Sequence, residues 1–407
     1  MKISHIQKCF LFAVCLALLL PLSCTNDDPA VIFDPNDKGT AAPVISAVEP
    51  AGEAVAGVSR ITIRGSHFSP VIAENAVFFG TDPAKVVVAS ETELRVIPAN
   101  KPGENLTIRV SVQKSFVIAE FAPYKLQPIT TQYGNFINIQ RIRSIAVDDN
   151  ENVYISPPRA VIKIDPNLDF TQYGTLPFVS AASMRWGPGG YLYVQRNNND
   201  RLYRMPPGGG DAELLLRFPE RVFFFDFDEN GNIYNGGKLG LFLLQKDSTE
   251  AIITGQYADD DIIAIRVFDG YVYVAAMGDA QSGVWRNQIL DDQGALGDRE
   301  LYFDWASADS SFSPVDINDI TFAEDGDLVI ASDKRPQNPD DPTSMVNPIL
   351  IVHPDGGTEN LYEGLLKFPV ENFVWGNDQF VYVNHGNIDL GITRLAMGKN
   401  GATHHGR

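Results

Sequence analysis

Apolar and polar residues alternate in a pattern that occurs six times along this chain. The first copy, residues 142–167, reads IRSIAVDDNENVYISPPRAVIKIDPN, and its IAV and VYI segments have the two-residue period of half-buried strands. The polar DDNEN between them has the composition of a tight turn. Each copy is therefore predicted to form strand, turn, strand, loop and strand.

Five further copies follow, at residues 182–204, 222–244, 262–286, 317–352 and 371–395. One residue anchors the second strand of each copy, and these anchors are Tyr154, Tyr193, Tyr234, Tyr273, Val329 and Tyr382. Their spacing is about 40 residues in the first three steps and about 55 in the last two, a period that indicates propeller blades when only strands are present. Six copies predict an all-β chain with a six-bladed β-propeller.

The chain order predicts how this propeller closes. Blade one ends in FTQYG at residues 170–174, whereas the sixth copy is followed only by a polar tail. A near copy, PITTQYG, stands before blade one at residues 128–134. We therefore expect residues 128–134 to supply the outer strand of blade six and to close the ring, which leaves no free sheet edge.

A separate unit is predicted before the propeller. Residues 43–126 contain several short strands with Gly and Pro turns, the pattern of a β-sandwich. They closely resemble the IPT/TIG family of immunoglobulin-like domains, and the resemblance rests on Pro43, Ile45, Pro50, ITIRGSHF at 61–68, VFFG at 77–80 and VIP at 96–98. It implies a spacer domain with Phe68 in its core and Gly65 in a turn conformation that a Cβ would disfavour. The propeller, residues 127–407, is similar to the NHL-repeat group, although blades four to six depart from its spacing.

The N-terminal residues have the composition of an export signal. Residues 1–23 combine Lys2 and Lys8 with an apolar run at 9–20 that is too short to span a membrane. Ser23 and Cys24 then resemble a bacterial lipoprotein cleavage site, which implies acylation of Cys24 and stable anchoring. The polar residues 24–42 are predicted to be a flexible tether. The whole layout resembles surface lipoproteins of Bacteroidetes, which implies an outer-membrane protein that faces the cell exterior and captures glycans.

Net charge limits the classes of partner that the chain can bind, and cysteine content limits its disulfides. The formal net charge is −19, and removal of Lys2 and Lys8 with the signal takes it to −21. Such an acidic chain is poorly suited to nucleic acid or to an anionic membrane, because phosphate binding needs clustered Lys and Arg. We therefore expect membrane contact only through the lipid anchor. Cys9 and Cys15 lie in the signal, so Cys24 alone remains and no internal disulfide can form.

The candidate binding site is the mouth of the propeller, the face where first strands begin and where the loops between second and third strands lie. The turns between first and second strands lie on the opposite face, here called the turn face, and turn geometry explains their Asp and Gly. The polar residues predicted at the mouth are Arg143, Arg185, Asp226, Arg266, Asn318, Asp319, Glu371 and Asn372 from strand starts, and Arg196, Asn198, Lys238 and His385 from loops.

These residues allow two interpretations. They can form Arg–Asp pairs that hold neighbouring blades in register, because charges beside the axis are costly unless they are paired. They can also form a polar pocket, in which Arg, Asn and Asp side chains suit the hydroxyls of a polysaccharide or oligosaccharide. The proline-containing insertion of blade five, residues 333–347, is a candidate binding loop on the same face.

The sequence favours a non-catalytic binding protein over two alternatives. One is a scaffold or adhesion component of a complex with other surface proteins. The other is a metal-dependent, lactonase-like hydrolase, which would need Glu, Asp and Asn ligands around one cation. Arg185 and Arg266 stand at positions equivalent to that of Asp226 and would repel such a cation. We expect no cofactor, and calcium is the only one that the sequence leaves open.

Overall fold

The computed structural model of the protein describes residues 39–134, 136, 141–278, 281–308, 316–332, 348–362, 366, 369–386 and 391–406. These residues form β-strands, three single-turn 3-10 helices (Ile72–Glu74, Pro188–Gly190 and Trp305–Ser307) and no α-helix, which confirms the all-β class. None of the helices in this described part has the length and apolar character that a membrane crossing requires. The predicted signal, Cys24, most of the tether and the insertion 333–347 lie outside the described residues.

Residues 44–127 form a sandwich whose strands pair in the order β1-β3-β6-β5-β4-β7-β8-β2. The strands are β1 (Val44–Glu49), β2 (Glu53–Val55), β3 (Ile61–Ser66), β4 (Asn75–Phe79), β5 (Asp82–Ala89), β6 (Glu93–Ile97), β7 (Gly103–Val112) and β8 (Ala119–Gln127). Alternate residues of β3, Ile61 and Ile63, are fully buried, as one-sided burial of a strand requires. Phe68 lies in the same core, as predicted.

Gly65 is needed for a different reason from the predicted one. It lies inside β3 rather than in a turn. A Cβ at this position would collide with the carbonyl oxygen of Val44 on β1 and with the Phe68 ring. Glycine therefore allows β1 and the core aromatic ring to approach β3 closely.

The remaining strands form six blades. Blade one contains β10 (Ile145–Val147), β11 (Val153–Ile155), β12 (Ala160–Ile164) and β13 (Phe170–Thr175), with the short β17 (Gly210–Asp211) at its edge. Blades two and three share a long strand and contain β14 (Ala181–Gly187), β15 (Tyr191–Arg196), β16 (Asn199–Met205), β18 (Glu213–Phe227), β19 (Ile233–Gly237), β20 (Gly240–Leu244) and β21 (Ile252–Ile253). The first half of β18 is the outer strand of blade two, and its second half is the inner strand of blade three.

The last three blades have four strands each. Blade four contains β22 (Asp261–Phe268), β23 (Tyr271–Met277), β24 (Ser282–Ile289) and β25 (Leu296–Asp304). Blade five contains β26 (Ile317–Phe322), β27 (Leu328–Ser332), β28 (Ile349–Val352) and β29 (Thr358–Asn360). Blade six contains β30 (Asn372–Trp375), β31 (Phe380–Asn384), β32 (Ile392–Ala396) and β9 (Thr130–Gln132).

The inner strands make a closed ring. Each of β10, β14, β18, β22, β26 and β30 contacts the next, and β30 contacts β10. Blade six is completed from the other end of the chain, since β9 pairs antiparallel with β32 and places Gln132 opposite Thr393 and Thr130 opposite Leu395. This is the closure that the TQYG repeat predicts.

The sandwich packs directly on blades five and six. Val55 of the sandwich is buried in the same apolar cluster as Ile129, Trp375 and Met397 of the propeller. The Arg394 guanidinium donates a hydrogen bond to the Gln127 side-chain oxygen at 3.3 Å. An apolar contact and a polar one thus join the two domains beside the strand that closes the ring.

Candidate functional site

Polar side chains on the inner strands link neighbouring blades. The Ser183 hydroxyl of blade two donates to the Phe223 carbonyl of blade three at 2.7 Å. The Asn372 amide of blade six donates to the Arg143 carbonyl at the entrance to blade one at 3.1 Å. In the same way, the Asn318 amide of blade five donates to the Val370 carbonyl, just before blade six, at 2.8 Å. These bonds satisfy buried backbone groups and fix the register between blades.

Asp226 and Arg266 form the most deeply buried of these links. The Arg266 guanidinium has no exposed surface, and its Nη1 donates to Asp226 Oδ2 at 2.8 Å. The same carboxylate oxygen accepts the Val267 backbone N–H at 2.9 Å. Burial lowers the pKa of Arg266, and the charge of Asp226 opposes that shift. The pair is therefore a desolvated interblade connection that no ligand at the mouth can reach.

Asp319 has the corresponding role between blades five and six. One of its carboxylate oxygens accepts the Phe373 backbone N–H of blade six at 3.1 Å, and the other accepts the Ile320 N–H at 2.9 Å. Burial raises the pKa of Asp319 to about 6, against the lowering influence of the Arg185 charge. Asp319 thus combines an interblade role with a perturbed acidity.

The chain end covers the axis on the turn face, which the sequence did not reveal. Beyond β32, Ala402 donates its N–H to the Phe322 carbonyl at 2.9 Å. The carbonyl oxygens of Ala402 and Thr403 accept hydrogen bonds from Arg266 Nη2 at 3.1 and 2.8 Å. Gly406 then lies against the backbone of Trp186 in blade two. The tail therefore crosses from blade five to blade two and supplies acceptors for the buried guanidinium.

The prediction that Asp226 and Arg266 line an open mouth is wrong. Inner strand β22 runs from the mouth to the turn face, and Arg266 lies two residues from its turn-face end. Arg185 and Asp226 occupy the equivalent registers, opposite Tyr193 and Tyr234. The three residues thus occupy equivalent positions in their repeats, as predicted. Those positions lie deeper along the propeller axis than the prediction placed them.

The other predicted residues are spread around the mouth. Glu371 accepts a hydrogen bond from Arg141 at 2.5 Å, and Arg143 is half-buried beside that pair. His385 is buried between the Pro369 carbonyl and the Thr393 hydroxyl. The remaining three occupy separate sites, where Arg196 lies over the Phe178 ring, Asn198 accepts from Arg221, and Lys238 faces Asp261. These side chains do not converge on one point.

The axial carboxylates do not resemble a cation centre. Asp226 is paired with Arg266, and the Arg185 charge acts on Asp319. Within the described parts of the chain, no group of three or more His, Cys, Asp or Glu side chains is arranged to hold a metal. The carboxylates are instead occupied by backbone N–H groups and guanidinium.

A wide groove opens on the turn face between blades one and two. Its volume is about 570 Å³, within the range of ligand pockets. Three aromatic side chains form its floor, Tyr154, Tyr173 and Trp186, and seven polar residues line it, Asp148, Asp149, Asn150, Asn152, Lys163, Thr171 and Gln172. We call this the blade 1–2 groove. By contrast, a cavity beside His385 has only about 160 Å³ and is lined mainly by aliphatic side chains.

The floor of the blade 1–2 groove is rigid. The Tyr154 ring meets the Tyr173 and Trp186 rings edge to face, each at a centroid distance of 4.9 Å. Tyr154 donates its hydroxyl to Asp148 at 2.9 Å, and Tyr173 donates to the Pro206 carbonyl at 3.2 Å. Burial raises the pKa of both phenols, so both remain protonated donors at neutral pH. Asp148 also accepts the Asn150 and Asn152 N–H groups, so the predicted turn chemistry builds one wall of the groove.

Above this floor, the polar rim is available to solvent. Thr171, Gln172, Asp149 and Asn150 are exposed, and Lys163 is half-buried. No signal in the sequence points directly to this site, because its residues come from two blades and from the tail. The aromatic residues are visible in the repeats, but the repeat pattern does not indicate which surface between two blades forms a groove.

Comparison with known protein families identifies the first domain of the chain. Residues 43–127 match the IPT/TIG domain family. The first domain is an IPT/TIG domain. No curated protein matches the chain.

Solved structures of similar fold cover most of this chain. An auxiliary nutrient binding protein from Bacteroides thetaiotaomicron is 14% identical with a TM-score of 0.50, and the match covers 89% of this chain and 99% of that one. One from Bacteroides ovatus is 12% identical with the same TM-score and coverage. A gluconolactonase from Xanthomonas campestris is 13% identical with a TM-score of 0.50, over 79% of this chain and 97% of that one. At these identities the similarity shows the fold alone.

Proposed function

We propose that this protein is a non-catalytic, lipid-anchored protein of the bacterial outer surface that binds an extracellular glycan in the blade 1–2 groove. The observation that carries the proposal is the groove itself, in which an aromatic floor lies beneath exposed amide, hydroxyl and carboxylate groups and the half-buried Lys163 ammonium. Sugars present apolar ring faces and dense hydroxyls, and this combination suits both.

The setting supports a binding role. Proteins of similar fold include two named auxiliary nutrient binding proteins from Bacteroides. The predicted acylation of Cys24 would hold the protein at the outer membrane, and the IPT/TIG domain would carry the propeller outward. Other surface proteins of an uptake complex are expected partners. The NHL-type classification of the propeller belongs to the same proposal.

The mouth is the competing surface for the same function. Arg143, Arg196, Asn198 and Lys238 offer charged and amide groups there. Their spread and their existing partners make them a weaker receptor than the groove. Variants on the two faces therefore decide between the two locations.

The test is a screen of the soluble chain, from residue 34 onward, against plant, host and microbial glycans, with and without calcium. For a glycan that binds, Lys163→Ala/Gln172→Ala is expected to weaken the dissociation constant by about tenfold or more, since few side chains carry most binding energy. Arg196→Ala/Lys238→Ala is the matched control and is expected to bind like the wild type. The reverse result would move the site to the mouth, and binding to no glycan would overturn the ligand class.

Tryptophan fluorescence gives an independent readout of the site. Trp186 is half-buried on the groove floor, whereas Trp285, Trp305 and Trp375 are at most 5% exposed. Bound glycan should therefore protect Trp186 from quenching by acrylamide. Saturable binding without such protection would contradict the groove as the site.

A further inference from the structure

Exposed apolar side chains are concentrated at the end of the IPT/TIG domain that faces away from the propeller. The hairpin between β7 and β8 ends in Phe116, Val117 and Ile118, which are 66%, 54% and 52% exposed. A run of three large apolar side chains in water is unfavourable for an isolated domain. Some surface is expected to cover this tip.

Neighbouring segments extend the tip into a patch. The Gln113 N–H donates to the Glu74 carbonyl at 2.8 Å, which holds the hairpin beside the 3-10 helix that contains Ile72. Ile72 and its neighbour Val71 are exposed, as is Val44 at the start of β1. We call Val44, Val71, Ile72, Phe116, Val117 and Ile118 the apolar end. These six are among the fifteen large apolar residues that are exposed in the described residues.

The strand register fixes the position of the apolar end. β8 begins at Ala119 beside this hairpin and ends at Gln127, where the propeller starts. Its nine residues span roughly 30 Å at the usual rise per residue of a strand. The apolar end and the propeller therefore occupy opposite ends of the domain.

The N-terminal segment reaches the domain at this same end. The Thr40 N–H donates to the Lys114 carbonyl at 2.9 Å, and the Phe116 ring lies beside Gly39. Fourteen residues lie between Cys24 and Gly39, so even a fully extended tether reaches roughly 50 Å at most. A lipid on Cys24 would thus keep the apolar end close to the bilayer.

We propose that the apolar end inserts into the membrane interface and holds the IPT/TIG domain upright, with the propeller pointing outward. The proposal rests on the anchor at Cys24 and goes beyond the expectation that the anchor alone touches lipid. Burial of aromatic and aliphatic side chains at the headgroup boundary stabilises such contacts. Residues 113–118 carry Lys114 and no carboxylate, and Glu74 and Glu120 flank the apolar end.

The first test uses the lipidated mature chain in vesicles of phosphatidylethanolamine and phosphatidylglycerol that contain brominated lipid. Phe116→Trp adds a fluorophore at the apolar end, and its emission is expected to be quenched by the bromine. The matched control is Ile253→Trp, at an equally exposed position on the propeller (61%), where no added quenching is expected. Equal quenching at both positions, or none at either, would overturn the proposal.

The second test removes the lipid anchor, so that membrane binding by the apolar end is measured without the contribution of the lipid. The chain from Cys24 onward with Cys24→Ala is expected to bind these vesicles weakly. Adding Phe116→Ser/Val117→Ser/Ile118→Ser to this chain is expected to reduce its partition coefficient by about tenfold. Ile252→Ser/Ile253→Ser is the control and should leave partitioning unchanged. Unchanged partitioning in the triple variant would refute insertion. Self-association that only the triple variant loses would assign the apolar end to contacts between copies.

Mass spectrometry of the native protein tests acylation of Cys24 independently. The proposal that the protein binds a glycan is unaffected by the result of either vesicle test.

Discussion

The inner strands and the turn face of the propeller use polar residues in opposite ways. The inner strands that lead from the mouth carry Asp226, Arg266 and Asp319, and these groups bond to the neighbouring blade and become inaccessible. The turn face carries ordinary Asp and Asn turns, yet between blades one and two these turns border an open groove with an aromatic floor. Charge density along a repeat therefore indicates how blades are joined, whereas an accessible site depends on how the surface between two blades is shaped.

The largest expected effect concerns the buried Asp226–Arg266 pair between blades three and four. Arg266→Ala leaves the Asp226 carboxylate buried without its cation and should lower the free energy of unfolding by about 3–5 kcal/mol. All four tryptophans lie in the propeller, so their fluorescence during urea unfolding reports that domain alone. The control Arg196→Ala, at the mouth, is expected to cost less than about 1 kcal/mol. Equal losses in the two variants would remove the distinction between interblade and rim charges.

The pH dependence of Asp319 gives the next largest effect. Its pKa is raised by burial from 3.8 to about 6, so the folded state retains a proton that the unfolded chain has already released. The stabilisation is complete below about pH 4 and is lost as the pH rises to about 6, by about 3 kcal/mol in total. Urea unfolding across this range should show that slope in the wild type and not in Asp319→Asn. A slope that persists in the variant would assign it to other groups.

Removal of the tail tests the cover on the turn face. Truncation after Gly401 deletes two carbonyl acceptors of Arg266 and the Ala402 bond to Phe322. We expect a loss of about 2–3 kcal/mol, because hydrogen bonds to a buried charge are worth more than neutral ones. Truncation of Arg407 alone is the matched control. If the longer truncation unfolded at the same urea concentration as the wild type, the tail would have no role in sealing the axis.

The smallest effect is expected at the rim of the mouth. The Arg141 and Glu371 side chains are 50% and 28% exposed, so solvent screens their pairing. Arg141→Ala should change the free energy of unfolding by less than about 1 kcal/mol, and salt should reduce the difference further. A cost near that of Arg266→Ala would show that rim and axial charges contribute alike. Chemical unfolding at low and high salt measures both quantities.

The repeat pattern predicted the fold closely because each of its signals acts locally. Tyr154 and its counterparts mark the second strands, and the TQYG repeat indicates which strand lies at the ring closure. The match of residues 43–127 to the IPT/TIG family agrees with the motif at 61–68. Alternation and turn composition suffice for such elements, since one face of each strand is buried.

The candidate site was harder to predict because it depends on depth and on backbone atoms. Arg266 was aligned with Arg185 and Asp226 correctly, but the alignment does not give distance along the axis. The acceptors in the tail are carbonyl groups, which every residue has, so Ala402 and Thr403 leave no mark in the sequence. Val55 likewise has the sequence context of an ordinary sandwich residue, although it packs against the propeller.

The ring closure has a consequence for how the protein matures. Gln127 and Arg394, which meet beside the closing strand, are 267 residues apart in the chain. Such a distant pairing forms late, because the loop between its ends must first be ordered. The propeller is therefore incomplete until β32 is available to pair with β9. Since β9 follows the IPT/TIG domain directly, the pairing that closes the ring also brings that domain against blades five and six.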